Sequence, residues 1–505
     1  MRFLLVPLDE RPCNYRFPGY VARLGRALLV TPPLSLMGRQ REPADVHGLS
    51  AWVEAHLGEV DALLLCCDTL ALGGLIPSRL ETGITGEVAV AQIARIGRWR
   101  TSRPDLKILG HMAIQRTNDA DDAGEERPYW AQYGRRICRY GVLQDRQEQE
   151  RVPLASTEAE ELDRLAAAIP VEHLDDYRAG RARNHALNLA ALDLAEAGIL
   201  DALYLTQDDS TPFGWGARDQ RILRQRVLAS PDLLGRVLIY PGADEVGSTL
   251  VARALSLQYE RTPSVGVQFS SEAGPLVVPR YEDRPQLEGI KAQIMAAGGR
   301  FVSGVGTETA DVRLFVNSPS EAQGEASRQP DPRADGPGRS LSDFCQQILS
   351  VPPGSVLALA DLAYANGADN HLIQMLNASA GAWSRLDVYS GWNTSGNAVG
   401  TGIAAALAMA LGDSQGSRAA EEFLVLRVLE DWYYQANVRQ ELARSGTGIP
   451  EDAAAEVLIE RFRAVANALL ESRGSPRRVE DLGLNWPWAR LFEIGIAFRL
   501  SEEPR

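Results

Sequence analysis

The sequence predicts an α/β protein with a mainly parallel sheet. Short apolar runs alternate with longer helix-like segments along most of the chain, and strands that alternate with helices form parallel sheets. The runs are nearly continuous in Leu, Val, Ile and Ala, which is typical of strands buried on both faces. The candidate strands are residues 2–7, 27–31, 61–67, 106–114, 201–207, 236–241, 264–269, 311–316, 356–361 and 386–390.

Two arrangements of these strands remain open. The favoured one is a TIM-barrel-like β/α core followed by a helical region. A barrel needs eight strands, and the candidate strands exceed that number, so the count does not decide. Each half of the chain opens on a strand that ends in Asp-Glu, as in LLVPLDER (4–11) and LIYPGADE (238–245). This similarity supports the alternative of two doubly wound, Rossmann-like domains with a split near residue 230.

The favoured domain division places a β/α catalytic core at residues 1–410 and a helical region at residues 411–505. Within the core, residues 115–200 are rich in Arg, Glu and Ala, which predicts a helical insertion. Residues 318–342 are rich in Ser, Pro and Gly, which predicts a mobile loop. The helical pattern near the C-terminus covers residues 397–411, 418–443, 450–473 and a final segment that contains Trp486 and Trp488.

Composition excludes several classes of partner. The chain has 505 residues, a formal net charge of −14 and a pI near 5.1. Nucleic-acid binding needs a basic face, and no basic run is present. The five cysteines are scattered and odd in number, which favours reduced thiols, and Cys66-Cys67 is interpreted as buried packing. No apolar stretch approaches the length of a membrane span. We therefore expect a cytoplasmic protein that binds neither nucleic acid nor membranes, while its oligomeric state stays open.

The stretch DALYLTQDDSTPFGWG (201–216) carries the strongest signal for chemistry. A buried strand breaks abruptly into Asp208 and Asp209 and then into a turn rich in Pro and Gly. Neighbouring, partly desolvated carboxylates have pKa values that are pushed apart, which suits general acid–base catalysis. Asp208 and Asp209 are therefore the candidate catalytic residues, although each is also a good helix N-cap.

The loops after the other strands supply polar residues. In parallel α/β folds these loops meet at one face, where active sites lie. Acids, amides and a few arginines suit a neutral polyhydroxy ligand, and Trp215, Phe213 and Trp392 would provide apolar platforms for sugar rings. The candidate substrate-binding residues are Asp9, Glu10, Arg11, Asn14, Asp68, Arg79, Gln115, Arg116, Asp244, Glu245, Asp361, Asn366, Trp392 and Asn393.

Other catalytic patterns are missing or have simpler explanations. The chain has no GxSxG elbow, P-loop or dinucleotide fingerprint. The six histidines form no HxH or HExxH pair, and His111 is better explained as a core histidine than as a participant. Asp244-Glu245 precedes a predicted helix and would serve as its cap. The triplet Asp9-Glu10-Arg11 would also close a loop as a local ion pair.

Three stretches resemble the hallmark segments of DUF4127, a bacterial family of unknown function. They are PLDERPCN (7–14), TQDDSTPFG (206–214) and GWNTSGNAVG (391–400). The resemblance extends from the first strand to about residue 440. It implies no activity, but it does imply that the three loops belong to one site.

A second resemblance concerns the aspartate pair alone. Hexosaminidases of the O-GlcNAcase type carry adjacent aspartates after a barrel strand. By that resemblance, Asp208 would orient the acetamido group of the substrate as an internal nucleophile, and Asp209 would protonate the leaving oxygen. None of that family's other motifs is present.

The leading hypothesis is a glycoside hydrolase that acts on a sugar or amino-sugar, with a small molecule or oligosaccharide as substrate and no cofactor or metal. A second hypothesis is a metal-dependent hydrolase or phosphate-handling enzyme, in which Mg²⁺ or Mn²⁺ is bound by Asp9, Asp68, Asp208 and Asp244. A third is a non-catalytic sugar-binding protein.

Overall fold

The protein consists of two compact units. The computed structural model describes residues 1–80, 83–149 and 153–502. The first unit is formed by Met1–Glu10 and Leu29–Gly247, and the second by Arg11–Leu28 and Ser248–Arg505. The unit boundary thus lies after the split predicted near residue 230.

The first unit is built on a six-stranded sheet. Its strands β1, β3, β4, β5 and β6 pair in parallel, and the order across the sheet is β2-β1-β3-β4-β5-β6. Every residue of β3 and β5 is buried, as their continuous apolar runs require. The bounds are β1 (Arg2–Val6), β2 (Leu28–Val30), β3 (Ala62–Cys66), β4 (Lys107–Ile114), β5 (Ala202–Gln207) and β6 (Val237–Pro241).

The second unit contains a five-stranded parallel sheet and two small two-stranded sheets. The large sheet has the order β13-β11-β9-β7-β8. Strands β10 and β12 pair in parallel, and β14 and β15 pair antiparallel. The bounds are β7 (Ser264–Phe269), β8 (Arg300–Val302), β9 (Val312–Asn317), β10 (Gly324–Glu325), β11 (Val356–Asp361), β12 (Tyr364–Ala365), β13 (Val388–Ser390), β14 (Val479–Asn485) and β15 (Gly495–Leu500).

The two large sheets share one connectivity. In each sheet, the first strand in chain order lies between the second and the third, and the second is an edge strand. This 2-1-3-4-5 order is the doubly wound order, and ligands bind such sheets near the carboxyl ends of the strands. The predicted α/β class with mainly parallel strands is confirmed. Among the described residues the two large sheets are open and neither closes into a barrel, because each ends in an edge strand on both sides.

All ten candidate strands are present. The structure differs from the prediction in short strands such as β8 and in the segment near the C-terminus. Strand β8 was not predicted because it contains only two apolar residues, Phe301 and Val302, between Arg300 and Ser303. The segment around Trp486 and Trp488 was predicted as helical, and this prediction is wrong. It connects β14 to β15, whose apolar residues pack on α20 and neighbouring core side chains.

The helices follow the strands as the periodicity predicts, and the insertion at residues 115–200 carries three of them, α8 to α10. Between α18 and α19 the helix continues through a π-helical stretch, Val428–Val438. The bounds are α1 (Pro12–Tyr15), α2 (Phe17–Leu24), α3 (Val46–His56), α4 (Cys67–Leu72), α5 (Leu75–Arg79), α6 (Gly86–Ile93), α7 (Ile96–Ser102), α8 (Trp130–Glu148), α9 (Ser156–Ala168), α10 (Val171–Glu196), α11 (Trp215–Leu228), α12 (Val246–Gln258), α13 (Gln286–Ala296), α14 (Leu341–Ser350), α15 (Asn370–Ala378), α16 (Ala382–Arg385), α17 (Ser395–Gly412), α18 (Arg418–Arg427), α19 (Arg439–Ser445) and α20 (Asp452–Ser472).

Helix α17 is apolar on every side. Thr394 caps its first turn, where the threonine hydroxyl accepts a hydrogen bond from the backbone N–H of Asn397 at 3.3 Å. The expectation that no apolar stretch approaches the length of a membrane span is wrong for α17, which is long and apolar enough to cross a membrane, although 94% of its residues are buried inside the protein. Such burial is usual for the core helix of a soluble protein.

The segment 318–342, predicted as a mobile loop, is tied to the second unit by many contacts. Ser320 and Glu321 donate backbone hydrogen bonds to Ala334 and Arg333 at 2.9 and 2.8 Å. Ala334 and Tyr364 also belong to a small buried cluster. These contacts give a segment without long helices or strands a defined path.

Candidate functional site

The aspartate pair lies where β5 ends in the first unit. Asp208 donates its backbone N–H to the carbonyl of Ile114 at 3.3 Å, so it continues the pairing between β5 and β4 for one residue. Asp209 has a φ of +48°, which lies in the left-handed region that aspartate tolerates better than most residues. The chain therefore turns sharply at Asp209, and both carboxyl groups remain beside the end of β4. Backbone strain of this kind is often found at functional sites.

Each aspartate is paired with an arginine. Arg79, at the end of α5, forms a short ion pair with Oδ2 of Asp208. Arg116, which follows β4, donates from Nη1 to Oδ2 of Asp209 at 2.8 Å. Glu125 joins the two arginines, because its Oε2 lies 2.9 Å from Nη1 of Arg79 and 2.9 Å from Nη2 of Arg116. The described contacts leave Oδ1 of both aspartates without a hydrogen bond.

Glu126 adds a fourth carboxyl group to this cluster. Its Oε1 lies 3.8 Å from Nη1 of Arg79 and 3.7 Å from Nε of Arg116. Within the described part of the chain, neither Oε1 of Glu126 nor Nε of Arg116 has a hydrogen-bond partner, although both atoms are buried. Burial raises the pKa of Glu126. The cluster thus has four carboxyl groups for two guanidinium groups, an imbalance that favours retention of a proton.

Asp208 and Asp209 have different surroundings. The side chain of Asp208 is 12% exposed and lies directly on Arg79, whereas that of Asp209 is 33% exposed. Desolvation raises the pKa of Asp209, the nearby charge of Asp208 adds to this rise, and Arg116 opposes it. Both aspartates contact an arginine, and a raised pKa at one of two adjacent carboxyl groups is the kind of difference that general acid–base catalysis uses.

Gln115 connects this cluster to the end of β3. Its Oε1 accepts a hydrogen bond from Nε of Arg79 at 3.3 Å, and its Nε2 donates to Oγ of Ser78 at 2.7 Å and to Oδ1 of Asp68 at 3.3 Å. Burial raises the pKa of Asp68 to about 7. The structure therefore brings together one connected set of the predicted site residues, namely Asp68, Arg79, Gln115, Arg116, Asp208 and Asp209.

A small cavity lies next to the aspartates. It is lined by residues 114–117, by 207–211 and by residues around Trp215, and its volume is about 20 Å³. A cavity of roughly 10–15 Å³ is enough for one water molecule. The cavity therefore has room for a water beside both carboxyl groups but not for a sugar ring.

The loop after Asp209 and the end of β4 are held by residues that sequence reasoning missed. Asp145 accepts a hydrogen bond from the backbone N–H of Gly214 at 2.8 Å. Arg181 donates from Nη1 to the backbone carbonyls of Gln115 and Arg116 at 3.0 and 3.3 Å. Asp145, Arg181, Glu125 and Glu126 all belong to the charged insertion, where nothing in their spacing separates them from solvent-facing residues.

The remaining candidates of the first unit have other contacts. Oε1 of Glu10 accepts a hydrogen bond from the backbone N–H of Gln40 at 3.1 Å. Oε2 of Glu245 accepts one from the backbone N–H of Ala243 at 2.9 Å, and the role of Asp244-Glu245 as a helix cap stays a prediction. Asp9 and Asp244 are buried.

The metal site predicted from Asp9, Asp68, Asp208 and Asp244 is not formed by the described residues. Among the described residues, no three of these aspartates have carboxylate oxygens within 4.8 Å of one another, and Asp208 contacts Arg79. The described group with the spacing of metal ligands is Cys66, Asp68 and His111. His111 is fully buried, its Nε2 lies 2.8 Å from Oγ1 of Thr206, and burial lowers its pKa to about 3.

The predicted aromatic platforms are not exposed. Trp392 is 5% exposed and packs in the core of the second unit, 5.8 Å from Phe492 between ring centres. Trp215 is 8% exposed and lies edge-on to Tyr177. The prediction that Trp392 and Trp215 stack on a ligand is therefore wrong, because both rings fill the core. Phe213 is half-buried and lines the small cavity.

The other candidates of the second unit form local networks. Nη1 of Arg11 lies 3.1 Å from Oε1 of Glu493, and both side chains are buried. Asn14 is buried in α1. Asn366 and Asn393 both have positive φ, and the backbone N–H of Asn366 donates to the carbonyl of Asn393 at 3.0 Å.

Asp361, the last residue of β11, holds several strand ends together. Its Oδ1 accepts a hydrogen bond from Nδ2 of Asn317 at 2.8 Å, and its Oδ2 accepts one from the hydroxyl of Tyr389 at 3.0 Å and one from the backbone N–H of Asp369 at 2.9 Å. Burial, with Asp369 nearby, raises the pKa of Asp361 to about 7. These contacts occupy both carboxyl oxygens within the unit itself.

A buried charged group where α18 continues into the π-helical stretch was not predicted. Arg427 forms an ion pair with Asp431 and another with Oε2 of Glu430 at 3.3 Å, and Oδ2 of Asp431 accepts a hydrogen bond from the backbone N–H of Gly391 at 2.7 Å. Helical spacing alone suggests a core helix here, and it gives no sign that its charges face inward. Burial raises the pKa of Glu430 to about 8, and Arg427 opposes the rise.

This raised pKa predicts a stability that depends on pH. The folded state binds a proton at Glu430 more tightly than the unfolded state. The contribution of this proton to the free energy of unfolding is therefore complete below about pH 4.5 and is lost as the pH rises through 8. We expect Glu430→Gln to gain stability relative to the wild type across that window, by on the order of 2 kcal/mol. Urea unfolding of both proteins at several pH values measures the difference.

The matched control is Glu441→Gln. Glu441 is exposed, and its hydrogen bond with Arg461 lowers its pKa, so this variant should not gain on the wild type between pH 4.5 and 8. A constant stability difference between wild type and Glu430→Gln over the whole window would contradict the prediction.

Comparison with known proteins identifies a family but no activity. The family model described as "Protein of unknown function (DUF4127)" matches residues 3–497. The chain matches no curated protein. The first hallmark stretch (7–14) spans the boundary of the two units, the second (206–214) lies in the first unit and the third (391–400) in the second. Their convergence on one site stays a prediction.

Proposed function

Because the chain belongs to the DUF4127 family, whose function is unknown, we propose an activity from its own residues: hydrolysis of a glycosidic bond by the acid–base pair Asp208 and Asp209. Asp209 is the general acid, and Asp208 is the partner anion. The substrate is a small molecule or oligosaccharide that carries an amino-sugar.

The observation that carries this proposal is the unequal environment of two adjacent carboxyl groups at one strand end. Arg79 lies directly on Asp208, while desolvation, opposed by Arg116 and reinforced by Asp208, raises the pKa of Asp209. Glycosidases need one carboxylic acid that protonates the leaving oxygen and a second group that stabilises the developing positive charge at the anomeric carbon. The pair meets both requirements without any other catalytic motif.

The reaction would be assisted by the substrate. Asp208 orients the acetamido group, whose carbonyl oxygen bonds to the anomeric carbon while the glycosidic C–O bond breaks and Asp209 transfers its proton to the leaving oxygen. Water then attacks the anomeric carbon, the bond between that carbon and the acetamido oxygen breaks so that the acetamido group is restored, and Asp209 takes a proton from the attacking water. Oδ1 of each aspartate is available for these contacts, since the described arginine contacts involve Oδ2.

Access to the aspartates requires a change in the loop. The cavity of about 20 Å³ accommodates a water molecule and no sugar ring. The substrate would therefore approach through the exposed side of Asp209 and displace the turn between Ser210 and Gly214. Loop rearrangement on substrate binding is common in enzymes.

The test is turnover of two aryl glycosides by the wild-type protein. We expect hydrolysis of an aryl N-acetyl-β-hexosaminide and none of the matching aryl hexoside, which lacks the acetamido group. Failure to hydrolyse either compound would overturn the proposal. Calorimetric binding of the amino-sugar without product would favour the alternative of a non-catalytic sugar-binding protein.

A further inference from the structure

We propose that Cys66, Asp68 and His111 form a zinc site in the first unit. Their ligand atoms, one from each residue, all lie within 4.8 Å of one another, and all three residues are buried. A thiolate, an imidazole and a carboxylate are the ligand types that Zn²⁺ prefers, and three protein ligands leave the fourth tetrahedral position to an oxygen ligand such as water. The proposal of a zinc site does not rest on the proposed hydrolysis.

The sheet register creates this cluster. Cys66 is the last residue of β3, and it pairs directly with His111 of β4. Asp68 follows two residues later in the first turn of α4, so its carboxyl group lies back over the strand end, with Oδ2 3.8 Å from Sγ of Cys66. These three ligands therefore come from adjacent strands and from the turn that follows one of them.

The surroundings of the ligands are those of a supported metal site. Oγ1 of Thr206, on the next strand, lies 2.8 Å from Nε2 of His111 and fixes the plane of the imidazole ring. The backbone N–H of Ala113 and the side chain of Gln115 donate to Asp68 at 2.8 and 3.3 Å. Partners of this kind orient ligands around metals in proteins.

Binding of Zn²⁺ would require the thiol of Cys66 to lose its proton, which passes to solvent as the sulfur–zinc bond forms. Coordination of one ion by the three ligands would restrict the position of the Asp68 side chain. Because Gln115 bonds to both Asp68 and Arg79, the position of Arg79, which pairs with Asp208, would be restricted as well. The ion would then stabilise the arginine that holds the aspartate pair, without contacting the substrate.

Cobalt titration tests the site through the spectrum of a thiolate-bound metal. The full chain, treated with a chelator and titrated with Co²⁺, should develop a thiolate-to-cobalt charge-transfer band that saturates at one ion per chain and disappears when Zn²⁺ is added. Cys66→Ser should lack the band. Cys67→Ser is the matched control, because Cys67 is an equally buried neighbour outside the cluster, and it should retain the band.

Thr206→Val provides a second variant that leaves all three ligands in place. Loss of the hydrogen bond to His111 should weaken Co²⁺ and Zn²⁺ binding about 10- to 100-fold. No thiolate band in the wild type, or a full band in a folded Cys66→Ser variant, would overturn the proposal. Should Cys66→Ser fail to fold, the wild-type spectrum, its loss on zinc addition and the Thr206→Val affinity decide the question without it. None of these measurements depends on glycoside turnover.

Discussion

Asp209→Asn is expected to lower kcat for an aryl N-acetylhexosaminide by about 10²- to 10⁴-fold, the usual contribution of a general acid. Asparagine preserves the size of the side chain and can still accept the hydrogen bond from Arg116, which lies 2.8 Å from Oδ2 in the wild type. It cannot supply a proton to the leaving oxygen. The measurement is steady-state kinetics on the purified variant, with its unfolding midpoint compared with that of the wild type.

The matched control is Asp201→Asn. Asp201 precedes β5, whereas Asp209 follows it, and its side chain is 29% exposed and paired with Arg100 at 2.6 Å. The two variants thus each remove an arginine-paired carboxylate of similar exposure, from opposite ends of one strand. We expect Asp201→Asn to keep wild-type kcat. Equal loss of activity in both variants would show that Asp209 acts through folding and has no role as an acid.

Arg79→Met is expected to lower the free energy of unfolding by about 3–5 kcal/mol, the cost of removing one partner from a buried ion pair. The side chain of Arg79 is 4% exposed and contacts Asp208 and Glu125 directly, with Glu126 at 3.8 Å. Without Arg79, the carboxyl groups of Asp208, Glu125 and Glu126 and that of Asp209 are left with one arginine of the cluster, Arg116. Chemical denaturation of wild type and variant at neutral pH measures the loss.

Two further variants separate charge from packing. Arg135→Met removes an exposed arginine of the same unit, 3.8 Å from Asp121, and should change stability by no more than about 1 kcal/mol. Adding Asp208→Asn to Arg79→Met should recover part of the loss, because one unpaired buried charge is removed. The electrostatic explanation would be contradicted if the two substitutions were additive. In that case the double variant would be less stable than Arg79→Met by as much as Asp208→Asn destabilises the wild type.

Most strands of this protein could be predicted one by one, because they are apolar runs long enough to be buried on both faces. The helices α17, α18 and α20 were also predicted from the sequence. Strand β8 was not, since two adjacent apolar residues carry no pattern. The hairpin β14–β15 was missed because its apolar positions were interpreted as a helical continuation.

The order of the strands depended on tertiary structure. Both sheets place the first strand between the second and the third, and this choice arises from how the helices between strands cross the sheet. A run of apolar residues carries no record of which other run it pairs with. The similarity of the two halves suggested two doubly wound domains but did not outweigh the barrel.

By itself, the sequence determined the α/β class, the positions of the long strands and the tandem aspartates at the end of β5, because burial and turn chemistry are local properties of the chain. Only the tertiary structure decided that Arg79, Gln115 and Arg116 gather around Asp208 and Asp209, and that Glu125 and Glu126 from the insertion join them. It also decided that Trp392 fills the core and that His111 lies beside Cys66. These are contacts between residues far apart in the chain, and they depend on strand register and helix packing, which no local pattern encodes.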